Sequence, residues 1–189
     1  YGDVTVLVGS SDSVIVHVEI SAFSEKLHKL EELMSMAEIH FSSGEDYVDI
    51  ETEWGDNAGA WKKGMADISQ VLGGNNRIEI NYTVTIPASC ELEVTNKFGN
   101  INLPSLDEDV RVDLAHGRLR AKKIKSFKSC VISYGKGNVK SIKKGNIQLK
   151  FSDFKLDKGT DLTISGSSGE IEIEEIEDLN LTIKHGSAE

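Results

Sequence analysis

Eleven basic side chains fall between residues 114 and 152, and no Asp or Glu falls among them. They are Arg118, Arg120, Lys122, Lys123, Lys125, Lys128, Lys136, Lys140, Lys143, Lys144 and Lys150. On either side the balance inverts: residues 1–113 hold 7 basic and 21 acidic groups, and residues 153–189 hold 3 and 10. A formal net charge of −10 disfavours broad binding to nucleic acid or anionic lipid. A confined basic band suits a smaller anionic target, such as a sulfated or phosphorylated glycan or an acidic protein surface. Arg118, Arg120, Lys122 and Lys136 are the candidates for that contact. The competing reading is a solvated outer face whose lysines discourage edge-to-edge aggregation. Aromatic interleaving, with Phe127 and Tyr134, is too sparse for stacking on bases.

Trp54 and Trp61 bracket the segment GDNAGA. Exposed tryptophans there would stack on sugar rings or anchor a protein contact; turned inward, they would cover an apolar face instead. The five histidines (17, 28, 40, 116 and 185) show no H-x-x-x-H spacing, and Cys90 and Cys130 form no C-x-x-C motif, so no metal set is indicated. No Cys–His or Ser–His–Asp arrangement emerges either. Glu170, Glu172 and Glu174 alternate with Ile171 and Ile173. Neighbouring carboxylates can do acid–base work, yet Glu alternating with Ile is what a solvated face above a buried one looks like. The sequence therefore nominates no catalytic residue and no cofactor.

The elements that position these groups are repeats. The pattern apolar-x-apolar, four residues, Gly, one residue, apolar-x-apolar fits Leu92, Val94, Gly99, Ile101 and Leu103. It returns at Val110, Val112, Gly117 and Leu119, at Cys130, Ile132, Gly137 and Val139, at Leu162, Ile164, Gly169 and Ile171, and at Leu179, Leu181 and Gly186. A degenerate copy between them has Ile147, Leu149 and Leu156, with Phe154 in the glycine slot. Period-2 alternation puts every second side chain on one face, and glycine permits a tight corner. Leu106, Ile124, Ile142 and Ile176 supply a third inward side. Units of this length are too short for a strand plus a crossover helix, which needs ~30 residues; stacked, they bury a continuous core. The expected fold is all-β: a right-handed single-coil parallel β-helix over residues 88–189, with an antiparallel meander as the competing topology.

Residues 1–87 read as a β-rich region carrying one helix, about 24–37, capped by Ser24, and a long loop, about 54–76. Strands are expected near Val4–Val8, Val14–Ile20, Ile39–Phe41, Tyr47–Thr52 and Arg77–Ile86. The opening YGDVTV mirrors FGNINL (Phe98 to Leu103), so the chain reads as cut into mid-repeat, with open strand edges expected at both solenoid ends and a route to homo-oligomers. A Tyr in place of an initiator Met reads as a trimmed chain. Successive coils lie ~4.8 Å apart. His116 and His185, four coils apart, are thus roughly 19 Å from joint ligation. Cys90 and Cys130, two coils apart, exceed the ~7 Å Cα reach of a disulfide, which leaves Cys130 a free inward thiol. No run approaches the ~18 apolar residues of a membrane span.

The segment YTVTIPASCELEVTNKFGNINL (Tyr82 to Leu103), the opening YGDVTV and the later VDLAHGRL resemble the bacterial adhesin-like family of β-helical, toastrack-like domains, over nearly the whole chain. That resemblance implies export to the periplasm or cell surface, as in Bacteroides-type bacteria, and a non-enzymatic module that recognises a glycan or an envelope protein. The alternatives are a structural envelope protein that self-associates, and a β-helical carbohydrate-active enzyme.

Overall fold

A computed structural model describes residues 2–54 and 76–189. Its elements run β1 (Val4–Gly9), β2 (Ile15–Phe23), α1 (Leu27–Ser35), β3 (Ala37–Ser43), β4 (Val48–Trp54), β5 (Arg77–Pro87), β6 (Leu92–Asn96) and β7 (Ile101–Leu103), then β8 (Leu106–Ala115), β9 (Arg118–Ser133), β10 (Lys136–Lys150), β11 (Asp153–Gly166), β12 (Glu170–Ile183) and β13 (Ser187–Ala188). Most of these strands build a parallel β-solenoid of about six turns. The sheet order is β13-β12-β11-β10-β9-β7-β1-β5-β2, with β6 beside β8, and from β7 to β13 each later turn lies on the one before.

The turns stack because their inward residues form columns. Ile101, Leu119, Gly137, Phe154, Ile171 and Ala188 are in register on one side. Val94, Val112, Cys130, Ile147, Ile164 and Leu181 are in register on another. From Val94 to Ile164 the second column is buried without interruption, the continuous core that stacked repeats require. Cys130 is fully buried and neither cysteine is bonded to another.

The corner positions differ from the sequence reading. The residues stacked at the corner are Gly2, Gly99, Gly117, Gly135, Ser152, Gly169 and Gly186: a Cβ at Gly99, Gly117, Gly135, Gly169 or Gly186 would meet the backbone of the preceding one. Gly137 and Phe154, expected at the corner, instead face inward opposite Leu119 and Ile171. The pattern slipped by two residues in the third and fourth units. A slip of two keeps every side chain on its face, so alternation alone does not detect it. In the true register the turn starting at Arg118 carries one residue more than its successor, taken up at the irregularity between Gly145 and Ile147. The fourth unit is then a regular turn in which serine replaces glycine.

Ser152 is the sole buried polar residue in the described part of the chain. Its hydroxyl accepts from the Gly135 N–H at 3.1 Å and lies 2.8 Å from the Lys150 carbonyl and 3.0 Å from that of Ile132. One donated and one accepted bond satisfy it, as a buried hydroxyl must be.

The first strand is not an open edge. β1 lies in parallel register between β5 (Val4 opposite Tyr82) and β7 (Val4 opposite Ile101). The likeness of YGDVTV to FGNINL is thus a stacking relation, completed by Asp3, whose carboxylate accepts from the Asn100 N–H at 2.8 Å, and by Asn96, which donates to the Gly2 carbonyl at 2.9 Å. For this reason the compact units are residues 1–18 with 81–189, and residues 19–80, where the sequence suggested a division at 87. At the opposite end, the two residues of β13 cover only the start of β12.

In the unit of residues 19–80, β3 and β4 form an antiparallel pair with Phe41 opposite Ile50. The helix is shorter than expected, and Ser24 does not cap it. Its hydroxyl accepts from the Lys26 N–H at 3.1 Å and donates to Asn76 at 2.8 Å, while Lys26 stands at the cap with no side-chain bond. No helix of the described residues is long and apolar enough to cross a membrane.

Candidate functional site

One corner of the solenoid carries a column of rings. Phe98, His116, Tyr134 and Phe151 each precede a corner residue, and successive ring centroids lie 5.1, 5.1 and 5.2 Å apart with planes within 6° of parallel. The spacing is close to one turn of a parallel sheet, ~4.8 Å. His116, Tyr134 and Phe151 hold φ of 53°, 54° and 51°, the left-handed region that bulky residues rarely occupy. Tyr134 and Phe151 are nonetheless 57% and 59% exposed. Large side chains held in unfavourable backbone geometry at a surface invite a functional explanation.

Beside the column lies an open cleft of about 630 Å³, lined by Asn100, Gly117, Arg118, Arg120, Tyr134, Gly135, Lys136, Phe151 and Asp153. Strand geometry places these groups. Arg118 and Lys136 occupy equivalent positions on successive turns, and Arg120, two residues along β9, emerges on the same outward face. Gly117 and Gly135 bring bare backbone to the floor. Lys136 pairs with Asp153 at 3.0 Å. The Lys136 hydrogen bond holds the Asp153 carboxyl below its ordinary range; burial opposes it, and a weaker hydrogen bond from the Glu170 N–H assists. Arg118 and Arg120 make no ion pair among the described residues. The cleft thus offers two unengaged guanidiniums, one engaged ion pair, an amide and two aromatic rings.

Beyond the cleft, the change from basic to acidic turns is consumed by pairs running across turns. Lys155 contacts Glu172 at 2.5 Å and Glu174 at 3.4 Å, and Lys158 contacts Glu175 at 2.7 Å. The Glu172 and Glu174 carboxylates weighed for acid–base chemistry are therefore partners of one lysine. Among the described residues no group of three His, Cys, Asp or Glu could hold a metal.

Of the residues nominated from sequence, Arg118, Arg120 and Lys136 come together in the cleft. Lys122 is exposed on the same side of β9 but does not line it. Trp54 ends β4 opposite Ala37, in the other unit; its side chain and all of Trp61 lie outside the described residues. His116 and His185 stand four turns apart at equivalent corners, so no joint site forms. Sequence reasoning missed the ring column, although its signal was present: an aromatic or histidine directly before the corner residues 99, 117, 135 and 152, visible only in the phase that puts Gly135 and Ser152 at the corner. No family model, curated protein or solved structure matches this chain.

Proposed function

We propose that this protein is a non-catalytic, adhesin-like recognition module working outside the cytoplasm, which holds a glycan or protein partner against the cleft beside the ring column. One observation carries the reading: unpaired Arg118 and Arg120 stand next to exposed rings kept at positive φ. Guanidiniums without carboxylate partners favour an incoming anion through charge-assisted hydrogen bonds, and the column adds apolar and edge-on aromatic contact. A hydrolytic reading finds less support, because acid–base cleavage of a glycoside needs two carboxyl groups. The cleft has Asp153 alone, ionised and tied to Lys136.

Arrays of glycans and envelope proteins test this directly. Wild-type protein is expected to bind a subset of spots, and Arg118→Glu with Arg120→Glu to abolish that binding while leaving the circular dichroism spectrum unchanged. A blank array at low salt, or binding indifferent to the charge reversal, would remove the cleft from consideration. Fractionation of the native cells should place the protein in the periplasm or on the surface; recovery in the cytosol refutes that part.

A further inference from the structure

We infer that the cleft takes an acidic polysaccharide, laid along the stacked turns with one sugar ring covering Phe151. The inference rests on the recognition role proposed above and adds the ligand class.

Three features select a glycan over an acidic polypeptide. The first is the end of the column. The corner position after Phe151 is filled by Ser168, whose carbonyl accepts from the Ser152 N–H at 3.0 Å, so the ring stack stops at Phe151. Among the described residues its ring has an aromatic neighbour on one face only, and it is 59% exposed. A flat, exposed aromatic face suits the C–H-bearing face of a pyranose.

The second is the polar mixture. Arg118 and Arg120 supply bidentate donors for carboxylate or sulfate, while Asp153 and Asn100 supply acceptors in the same cleft. An acidic sugar brings both an anion and hydroxyl donors. An acidic peptide such as polyglutamate has no hydroxyl donors to offer Asp153 beside its anions.

The third is the repeat. The rings recur once per turn, 5.1 to 5.2 Å apart along the column, and Arg118 and Lys136 share one outward position on two successive turns. An extended peptide presents like-facing side chains every second residue, roughly 6.6–6.8 Å apart, and falls out of step within two turns. A pyranose ring in an extended glycan is about as long as one turn spacing, so successive sugars stay in step with successive rings while an acid group on one of them reaches Arg118 and Arg120.

The test is calorimetric titration at about 0.15 M salt with four polymers: polygalacturonate, dextran sulfate, unmodified dextran and poly-L-glutamate. Binding of polygalacturonate or dextran sulfate is expected, and which of them binds separates carboxylate from sulfate recognition. Arg118→Ala with Arg120→Ala should weaken it roughly tenfold or more. Phe151→Gly, a substitution suited to the φ of 51°, should weaken it roughly threefold to tenfold with the fold intact by circular dichroism. Poly-L-glutamate binding as tightly as the glycans, or Phe151→Gly without effect, overturns the glycan assignment and leaves an anion-binding cleft standing. Equal affinity for unmodified dextran overturns the requirement for acid groups. Silence with all four polymers overturns this inference, whereas the broader recognition role falls only if the arrays are silent too.

Discussion

Gly137 sits in the inward column between Leu119 and Phe154, and replacing it by alanine tests the register of the whole solenoid. A methyl group there would run into the Phe154 ring and stand 2.8 Å from Ile132 Cδ1. Two effects oppose each other. Alanine narrows the unfolded ensemble, worth about 0.4–1 kcal/mol in favour of folding. Overpacking a filled core costs about 1–3 kcal/mol. The expected outcome is a net loss of about 0.5–2 kcal/mol. Phe154→Leu alone should cost about 1–2 kcal/mol, well short of the ~3–5 for complete truncation of a phenylalanine. Together the two changes exchange volume across one contact, so the double variant should be more stable than the sum predicts by about 1 kcal/mol or more, within the range for touching residues. Urea unfolding of the four proteins, followed by far-ultraviolet circular dichroism, measures each quantity. Additivity within about 0.5 kcal/mol would refute the reasoning, since it would mean that the backbone demands glycine at 137, as a corner would.

Ser152→Ala leaves the Gly135 N–H without its partner and should cost about 1–3 kcal/mol in the same urea assay, with faster hydrogen exchange at Gly135 as the local signature. Asp109 and Asp153 are held below the ordinary 3.8, chiefly by hydrogen bonds from Lys128 and Lys136. Their stabilisation is complete above that value and is lost as the pH falls through the lower folded one, so Asp109→Asn with Asp153→Asn should flatten the decline in urea midpoint on the acid side. Lys155 and Lys158 are raised above 10.5 by the hydrogen bonds they donate to Glu172 and Glu175; their contribution is complete below 10.5 and disappears as the pH rises through the folded values, so Lys155→Gln should flatten the alkaline decline. Burial pushes the Cys130 thiol up to about 12, so mass spectrometry after iodoacetamide treatment of the folded protein should find Cys90 modified and Cys130 untouched until denaturant is added. Tyr134→Gly should leave the urea midpoint within the equivalent of about 1 kcal/mol; a loss above about 3 kcal/mol would make the ring column a structural requirement.

The solenoid was legible because burial on one face imposes a period of two along each strand and a second period of one turn. Leu92, Val112, Ile164 and Leu181 announce both. The corner phase was harder to read because the stretch from Tyr134 to Gly137 offers glycines at 135 and 137, and either choice buries the same side chains. What decides between them is long-range: a Cβ at 135 meets the Gly117 carbonyl, while one at 137 meets Phe154. Insertion of β1 between β5 and β7 was beyond local pattern for the same reason, since it joins residues almost a hundred positions apart. The ring column followed the phase: with Gly137 as the corner, Tyr134 loses its equivalence to Phe98 and His116. Arg118, Arg120 and Lys136 were legible because a basic run on an outward face needs no register to be noticed. Lys122 belongs to the same run yet lies outside the cleft, which local charge does not reveal.

Folding energetics give little reason for the rings to be where they are. Each left-handed bulky residue costs about 1–2 kcal/mol, so His116, Tyr134 and Phe151 together cost about 3–6 kcal/mol. The three stacked contacts return about 0.5–1.5 kcal/mol each, or about 1.5–4.5 kcal/mol. Glycine at each position would remove the strain and the stacking together and leave stability nearly where it was. Glycine or serine already serves the next corner position on every turn, so the fold accepts small residues at this edge. Tyr134 and Phe151 instead present exposed apolar surface beside two unpaired guanidiniums, an arrangement that neither packing nor strain requires. The recognition role proposed above supplies the missing reason: a partner held on the side lined by Arg118, Arg120 and Phe151 would offset the cost of the rings.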